Sequence, residues 1–299
     1  MVMEIHFLGT GGGVPTGFRA PPSVVVRREA ELLMFDCGEG TQVRMAACGI
    51  GINKPMKVFI THMHGDHVLG LPGLLMSMSL LGRTRGLEVY GPPGIREFLE
   101  SIGRILGCEL KFPVAVEEIG AGGSVEGRGY RVLVEAAEHG VPCNAFSLEE
   151  EARREFLPKR AVELGVPKGP LWRELQLGRA VSIDGKVVEP SQVLGKPRRG
   201  RKVVYAADTR PSRSVIRLSR GADLLIHDST FDDSKSEEAR EYGHSTASEA
   251  ASIAKEAGVG ALILFHLSPI YRDPAPVLLQ AKRVFPNSRI AYDLMGLEL

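Results

Sequence analysis

The chain has 299 residues, of which 43% are apolar and 24% are charged, proportions that exclude a disordered polyelectrolyte and are typical of a folded protein. No apolar run approaches the ~20 residues that span a bilayer, so no membrane segment is expected. The formal net charge of +1 excludes a protein that binds nucleic acid through overall positive charge alone.

The N-terminus and the cysteines indicate where the protein works. No basic stretch precedes an apolar segment in the first residues, so no signal peptide is expected. The four cysteines form no C-x-x-C pair, which favours free thiols over disulfides or a zinc knuckle. We therefore expect a cytoplasmic protein.

Apolar segments separated by Gly- and Pro-marked turns predict alternating strands and helices. Strands are predicted over residues 3–8, 23–27, 32–35, 57–60, 87–90, 130–136, 203–207, 223–227, 261–265 and 289–292. Helices are predicted over residues 41–48, 69–81, 93–106, 212–219, 246–257 and 274–284. Two packed sheets with helices outside them fit this number of elements, in an α/β fold.

The most informative segment is residues 61–67, Thr-His-Met-His-Gly-Asp-His, which follows a predicted strand. His62 and His64 are two residues apart, so an extended chain places both side chains on one side. A turn into the next helix then brings Asp66 and His67 toward the same point. Because imidazole is the commonest metal ligand, this spacing predicts a metal site rather than a polar loop.

Several other apolar runs end at residues that can bind a metal. These residues are Asp36, His139, Asp208, the pair His227-Asp228, and His266. Strands of one sheet system often deliver their carboxyl ends to a common crevice. We therefore expect one polar site, built by loops on an apolar scaffold.

Residues 149–196 fit poorly inside a compact sandwich, because they are charged and rich in Gly and Pro. Residues 149–202 contain 13 Lys/Arg and 8 Asp/Glu, a net charge of +5. Five of these cations fall in residues 196–202, Lys-Pro-Arg-Arg-Gly-Arg-Lys. Such a cluster is a candidate contact for phosphate groups.

The histidine segment, followed by His139, Asp208 and His266, resembles the metallo-β-lactamase superfamily. Several stretches resemble one of its families, tRNase Z (ribonuclease Z), more closely. They are residues 7–11 (FLGTG), 35–42 (FDCGEGTQ), 70–74 (GLPGL), 165–171 (GVPKGPL) and 242–246 (YGHST). The resemblance runs from about residue 3 to about residue 295 and implies an αββα sandwich. It also implies a metal-dependent endonuclease that removes the 3′ trailer of precursor tRNA.

The resemblance implies two metal ions, with zinc expected and manganese or iron as alternatives. The first ion would take His62, His64 and His139, and Asp208 would bridge both ions. The second would take Asp66, His67 and His266. Such a pair activates water as hydroxide for attack on a phosphodiester.

The resemblance also implies catalytic or supporting roles for residues near these ions. Asp66 is expected to act also as the catalytic base, and His244 to stabilise charge on the phosphate in the transition state. Asp36 and His227 are expected to lie behind the ligands and to orient their imidazoles through the free ring nitrogens.

The resemblance treats the chain, 1–299, as one catalytic domain with an extended, flexible arm inserted at 149–196. In the family the arm binds tRNA, and this role falls here on Lys168, Gly169, Pro170, Arg198, Arg199 and Arg201. The family commonly forms homodimers, so precursor tRNA and a second copy of the chain are the expected partners.

Two other interpretations stay open at this point. One is a hydrolase of the same superfamily that acts on a small phosphodiester or ester and needs no basic arm. The other is a non-catalytic RNA-binding subunit that kept the fold, against which the complete set of seven predicted ligands argues.

Overall fold

Apolar segments form two large sheets within residues 3–299, the part of the chain that this computed structural model describes. The strands are β1 (Met3–Gly9), β2 (Ser23–Arg28), β3 (Glu31–Phe35), β4 (Met56–Phe59), β5 (Leu87–Gly91), β6 (Val114–Glu118), β7 (Ser124–Gly127), β8 (Tyr130–Ala137), β9 (Cys143–Glu150), β10 (Arg153–Phe156), β11 (Val181–Ile183), β12 (Lys186–Val188), β13 (Leu194–Arg198), β14 (Lys202–Ala206), β15 (Leu224–Asp228), β16 (Ala261–Phe265), β17 (Ser288–Ile290) and β18 (Met295–Glu298).

Helices separate many of these strands along the chain. They are α1 (Thr41–Ala47), α2 (Gly65–Val68), α3 (Gly70–Leu80), α4 (Ile95–Leu106), α5 (Pro158–Glu163), α6 (Pro170–Gln176), α7 (Pro190–Val193), α8 (Arg213–Ser219), α9 (Ser236–Tyr242), α10 (Ala247–Ala257) and α11 (Ala275–Val284), with a 3₁₀ turn at Asp233–Lys235. Among the described residues, none of these helices is both long and apolar enough to cross a membrane.

The chain divides into two compact units. The larger unit comprises the chain up to Gly127, Arg131–Leu148 and Lys202–Leu299. The smaller comprises Arg128–Tyr130 and Glu149–Arg201.

Each large sheet contains seven strands among residues 3–299. The first has the order β18-β1-β2-β3-β4-β5-β6, and the second β17-β16-β15-β14-β9-β8-β7. Strands β3 to β6 run parallel to one another, as do β14 to β17. Because parallel strands send their carboxyl ends to one edge, the loops that follow β3 and β4, and those after β14, β15 and β16, can each build part of one site.

Aromatic rings pack the two sheets face to face. Phe35 of β3 lies 5.6 Å from Tyr205 of β14 and 5.8 Å from Phe146 of β9, measured between ring centroids. Phe7 of β1 similarly approaches Phe265 of β16 at 6.2 Å. These rings make the shared interior apolar, and their burial is the main source of stability between the sheets.

Helices cover the outer face of each sheet. In β3, Leu32 and Met34 alternate with the inward-facing residues and join a buried cluster with Leu71 and Leu74 of α3. In β16, Leu264 joins a second buried cluster with residues of α10 such as Ala250. Strands buried on both faces are typical of sheets with helices outside. The predicted αββα sandwich is confirmed.

The smaller unit has an apolar core of its own. Its buried residues are Ala161, Val166, Leu175, Val181, Val188 and Val193. The Phe156 and Trp172 rings lie 5.0 Å apart beside them, and the Trp172 indole donates to the carbonyl oxygen of Val166 at 3.0 Å. The two ends of the unit meet where the Glu150 amide donates to the Arg201 carbonyl oxygen at 2.9 Å. The inserted arm predicted at 149–196 thus falls on a segment with its own fold, while its flexibility and its role stay predictions.

The predicted helices of the larger unit agree with the observed ones to within about two residues. The short helices α2 and α9 were not predicted. Strands β6, β7, β9 and β18, and the short strands β10 to β13 of the smaller unit, were missing from the prediction.

Gly70 begins α3 where this helix passes closest to the turn after β3. A Cβ at Gly70 would lie 1.8 Å from the carbonyl oxygen of Gly38, so the backbone would have to move. We expect Gly70→Ala to lower the free energy of unfolding by about 1–3 kcal/mol in urea denaturation.

Gly73→Ala is the matched control in the same helix. Its Cβ would meet only the flexible end of Gln42, at 3.1 Å. Alanine is favoured over glycine inside a helix by about 1 kcal/mol, so this variant should keep or gain stability. Equal losses in the two variants would contradict the steric argument.

Candidate metal centre

Seven side chains that the sequence singled out converge in the larger unit. Three groups of possible metal ligands form there, with the ligand atoms of each group all within 4.8 Å of one another. The first group is His62, His64, His139 and Asp208, and the second is Asp66, His67 and His266. The third adds His244 to Asp208 of the first group and His266 of the second. The residues come from the ends of β4, β8, β14 and β16 and from α2, so the folded chain brings together what the sequence separates.

In the first group the nitrogens point toward one another. His64 Nδ1 lies 2.9 Å from His62 Nε2 and 3.3 Å from His139 Nε2. Oδ2 of Asp208 lies 3.7 Å from His62 Nε2 and 3.9 Å from His139 Nε2. Lone pairs that face each other in this way repel unless a proton or a cation lies between them.

The other oxygen of Asp208 serves the second group. Oδ1 lies 3.2 Å from His67 Nε2 and 3.3 Å from His266 Nε2. Oδ2 of Asp66 lies 3.4 Å from each of the same two nitrogens. Asp208 therefore stands between the groups, with one oxygen directed to each.

Two loops that shape the site depend on unusual backbone at the ends of strands. Asp36 directly follows β3 with φ 58°, and His266 directly follows β16 with φ 60°. Residues other than glycine rarely adopt this left-handed region, and each such residue costs of order 1 kcal/mol or more. The packing of β3 and β16 holds this strain and turns both side chains into the site.

Gly12 keeps space for His266. A Cβ at this position would lie 2.3 Å from Cε1 of the His266 ring. The amide of the next residue, Gly13, donates to Oδ2 of Asp66 at 2.8 Å. The glycine-rich turn after β1 therefore shapes the second ligand group from the outside.

Asp36, behind the ligands, holds two of the histidines. Its Oδ2 accepts from Nδ1 of His67 at 2.7 Å, and its Oδ1 accepts from the Thr61 hydroxyl at 2.9 Å. Because the Thr61 hydroxyl donates to Asp36, it accepts from Nδ1 of His62 at 2.9 Å. Both imidazoles thus hold a proton on Nδ1, so Nε2 is the nitrogen that would bind a cation, which would displace any proton held there. Tyr205 also donates to Asp36, at 2.8 Å.

Asp228 builds a similar arrangement in the second sheet. Thr230 donates to Oδ1 of Asp228 at 2.7 Å and accepts from Nδ1 of His266 at 2.9 Å. Oδ2 of Asp228 accepts from Nδ1 of His244 at 2.8 Å. The Nδ1 of His139 donates to the carbonyl oxygen of Gly243 at 2.8 Å. Sequence reasoning singled out neither threonine, and at the end of β15 it chose His227 rather than Asp228.

His227 does not orient a ligand imidazole in this structure. It is fully buried, and its Nδ1 donates to the backbone carbonyl oxygen of Asp228 at 2.8 Å. Successive side chains of a strand point to opposite faces, so when Asp228 faces the site its neighbour cannot. The expected role of His227 is therefore corrected and passes to Asp228.

His244 borders both ligand groups. Its ring stacks on His266, with centroids 5.3 Å apart and planes inclined by 20°, and lies 5.0 Å from the His139 ring. Burial disfavours the imidazolium, but the Asp228 carboxylate outweighs this effect and raises the pKa of His244 to about 9. A protonated His244 can offer a charged N–H to an anion at the site.

The carboxylates of the site stay ionised. Burial alone would raise the pKa of Asp66 and of Asp208, but neighbouring histidines hold both pKa values well below the usual range. His266 and His67 act in this way on both carboxylates. Ionised carboxylates are the form in which these side chains bind cations.

The residues present fit a divalent metal. Oδ1 of Asp208 is buried and has no hydrogen-bond partner among the described residues, a costly state for a charged oxygen. A cation at the point where the free nitrogens converge would satisfy this oxygen. Imidazole and carboxylate together are the donors that borderline divalent metals bind.

The residues predicted to bind tRNA lie in the smaller unit and are exposed. Lys168, Gly169 and Pro170 form the start of α6, where Gly169 has φ 156°. Arg198 ends β13 and pairs with Glu155 at 3.0 Å, with Arg199 and Arg201 following it. None of these residues belongs to the groups of possible metal ligands. The geometry of the metal centre therefore does not test their predicted role in binding tRNA.

Comparison with known proteins gives relatives over the whole chain. "Ribonuclease Z" of Methanosarcina acetivorans is 47% identical over 300 residues, which cover 100% of this chain and 98% of the relative. The protein of the same name from Methanothermobacter thermautotrophicus is 45% identical, with 100% and 97% covered. Two family models match parts of the chain: Anti-Pycsar protein Apyc1 over residues 3–101 and the Beta-lactamase superfamily domain over residues 186–267.

Solved structures share the architecture. The short form of human tRNase Z superposes with a TM-score of 0.71 at 28% identity, covering 98% of each chain. The metallo-β-lactamase fold protein YhfI of Bacillus subtilis also gives 0.71, at 22% identity and with 100% of both chains covered. The second similarity is one of fold alone.

The Asp36 arrangement yields a prediction on metal affinity. Asp36→Asn keeps the shape of the side chain but puts an amide where four groups donate: the Thr61 amide and hydroxyl, Nδ1 of His67 and the Tyr205 hydroxyl. We expect zinc affinity to fall about 10–100-fold, as measured by competition with a chromophoric chelator.

Asp233→Asn provides the control, because that carboxylate accepts from Ser248 rather than from a histidine. This variant should bind zinc as the unmodified protein does. If Asp36→Asn bound zinc equally well, or if both variants lost affinity alike, Asp36 would not orient the ligands.

Proposed function

The chain belongs to the ribonuclease Z family, and we propose that it is a metal-dependent endoribonuclease that removes the 3′ trailer from precursor tRNA. The resemblance inferred from sequence is confirmed by relatives 45–47% identical along the whole chain. The observation that carries the function is the pair of ligand groups with Asp208 directed into both.

We propose two zinc ions per chain, with manganese or iron as alternatives. His62, His64 and His139 would hold one, Asp66, His67 and His266 the other, and Asp208 would bridge them. Two divalent cations at such a site lower the pKa of water toward ~7 and stabilise charge on the attacked phosphate. The tautomers set by Asp36, Thr61, Thr230 and the Gly243 carbonyl prepare four of the imidazoles for this binding.

Asp66 is proposed as the proton acceptor. Oδ2 faces His67 and His266 and accepts from Gly13, so Oδ1 is the oxygen that can take the proton of the attacking water. The Asp66 side chain is only 10% exposed, which limits competing exchange with bulk water.

His244 is proposed to stabilise the phosphate as charge develops. Asp228 holds the imidazole through Nδ1, which leaves Nε2–H to donate. The Asp228 carboxylate favours the charged form of this imidazole, and a charged N–H donor makes the stronger bond to phosphate.

The smaller unit is proposed to bind the body of the tRNA. Exposed cations of this unit include Lys168, Arg198, Arg199 and Arg201, and residues 149–202 carry a net charge of +5. A folded, positively charged insertion is of use to a large polyanion and not to a small phosphodiester. This charge favours precursor tRNA over the small-substrate alternative.

A homodimer is proposed as well. Leu69, Met76 and Leu80 lie along α2–α3 at helical spacing, and Leu69 and Leu80 are exposed by 55% and 82%. An apolar stripe of this kind fits a second copy of the same helix. The four free cysteines fit the cytoplasm, where tRNA is processed.

The test is cleavage of a 3′-extended precursor tRNA beside hydrolysis of bis(p-nitrophenyl) phosphate. Removal of metal by a chelator should abolish both reactions, and added zinc should restore them. Deletion of residues 152–194 should weaken precursor cleavage at least tenfold while the small diester is still hydrolysed, since the metal centre lies outside the deletion.

Each other outcome points to another function. Hydrolysis of the small diester without precursor cleavage would favour a small-molecule hydrolase. Binding of precursor without any hydrolysis would favour a non-catalytic subunit. Equal loss of both activities on deletion would refute the proposed role of the smaller unit.

His244→Ala tests the transition-state role. We expect the turnover of precursor tRNA to fall about 10²–10³-fold, the loss typical of removing one such donor, while metal content stays normal. Turnover and bound zinc are measured on the same preparation.

His6→Ala is the control, because it removes an imidazole that lies beside Glu4 on β1. That variant should cleave normally. If His244→Ala instead lost its metal, His244 would be a ligand and the assignment would be wrong.

A further inference from the structure

An apolar cavity opens beside the first ligand group. Its volume is about 240 Å³, and it is lined by Met63, His64, Pro92, Pro93, Val141 and Pro142. His64 belongs both to this lining and to the ligand group, so the cavity begins where the metal centre ends.

The topology explains why this lining is apolar. Met63 lies between the ligands His62 and His64 in the loop after β4, and Pro92 and Pro93 follow β5, the neighbouring parallel strand. Val141 and Pro142 come just after His139. The loops that carry the first ligand group therefore also build the cavity.

The chemistry of the lining excludes most parts of an RNA chain as its occupant. None of the six residues carries a carboxylate or a fixed positive charge, so a phosphate would find no ionic partner there. His64 directs its Nδ1 to the other histidines, 2.9 Å from His62 Nε2, rather than to a guest. A ribose would lose hydrogen bonds to water without replacement.

A nucleobase suits this surface. The flat faces of bases gain from contact with rigid apolar groups, and a methionine sulfur interacts favourably with an aromatic ring. The volume is below the ~300–1,000 Å³ of sites that enclose drug-sized ligands, which leaves room for one ring system.

We propose that this cavity receives the base of one nucleotide adjacent to the scissile phosphate and holds it by its faces, without reading its identity. The proposal rests on the proposed function, since it needs an RNA substrate whose phosphate lies at the metal centre. Five of the six lining side chains carry no N–H or O–H group, so the cavity hardly distinguishes one base edge from another, which suits an enzyme that acts on many precursors.

The experiment compares Val141→Phe, which fills the cavity, with the unmodified protein on synthetic precursor tRNAs. One substrate is complete, and two others have an abasic residue on the 5′ or the 3′ side of the cleaved bond. The unmodified protein should show about tenfold lower kcat/KM on exactly one abasic substrate, as expected when the apolar contacts of one base are lost. Val141→Phe should cleave the complete substrate about as slowly as the unmodified protein cleaves that abasic one, with no further loss when the base is removed.

Leu279→Phe, a change at an exposed position of α11, also adds a ring and should behave as the unmodified protein does. Zinc content should be the same in all three proteins. Equal cleavage of all substrates by the unmodified protein would overturn the inference, as would an undiminished base effect in Val141→Phe. If the unmodified protein cleaved no precursor at all, the proposed function would fail first and this inference with it.

Discussion

The direction of hydrogen bonds behind the histidines is the constraint on which the metal centre depends. A neutral imidazole has one donor and one acceptor, so fixing the donor fixes the lone pair. Two buried aspartates do this in the same manner: each holds one histidine directly and another through a threonine hydroxyl. Asp36 and Thr61 serve one sheet, and Asp228 and Thr230 serve the other. Two carboxylates at strand ends therefore fix which ring nitrogen carries the proton in four histidines.

The sandwich makes this placement rigid. Phe35 and Phe265, the residues just before Asp36 and His266, contact rings of the opposite sheet. Because these rings are locked between the sheets, the residue after each strand can be held in the left-handed region at an energetic cost that packing offsets. The packing between the sheets therefore also sets the direction of the Asp36 and His266 side chains, and the site needs both sheets.

His62, His64, Asp66 and His67 could be singled out from sequence because their signal is local: metal-capable residues one to three positions apart at the end of an apolar run. The structure brings them together with His139, Asp208 and His266, and their role as metal ligands stays a prediction. It failed at His227 because a shift of one residue along β15 changes the face on which a side chain lies. Thr61 and Thr230 gave no signal. In a sequence, a buried threonine whose hydroxyl links a carboxylate to an imidazole cannot be told from an exposed threonine. Strand β6 was missed because its residues are largely exposed at a sheet edge, and β9 because buried polar residues such as Asn144 and Ser147 interrupt its apolar pattern. Such features are decided by tertiary partners that local pattern does not contain.

The backbone hydrogen bond between Glu150 and Arg201 closes the inserted segment at its two ends. An insertion whose ends are joined by a backbone hydrogen bond, and which packs around its own valines, places little demand on the strands it interrupts. Strands β9 and β14 remain neighbours in their sheet across it. The insertion can therefore change in length and charge during evolution while the sheet that carries Asp208 and His266 keeps its strand order, so that insertion and metal centre can vary as separable traits.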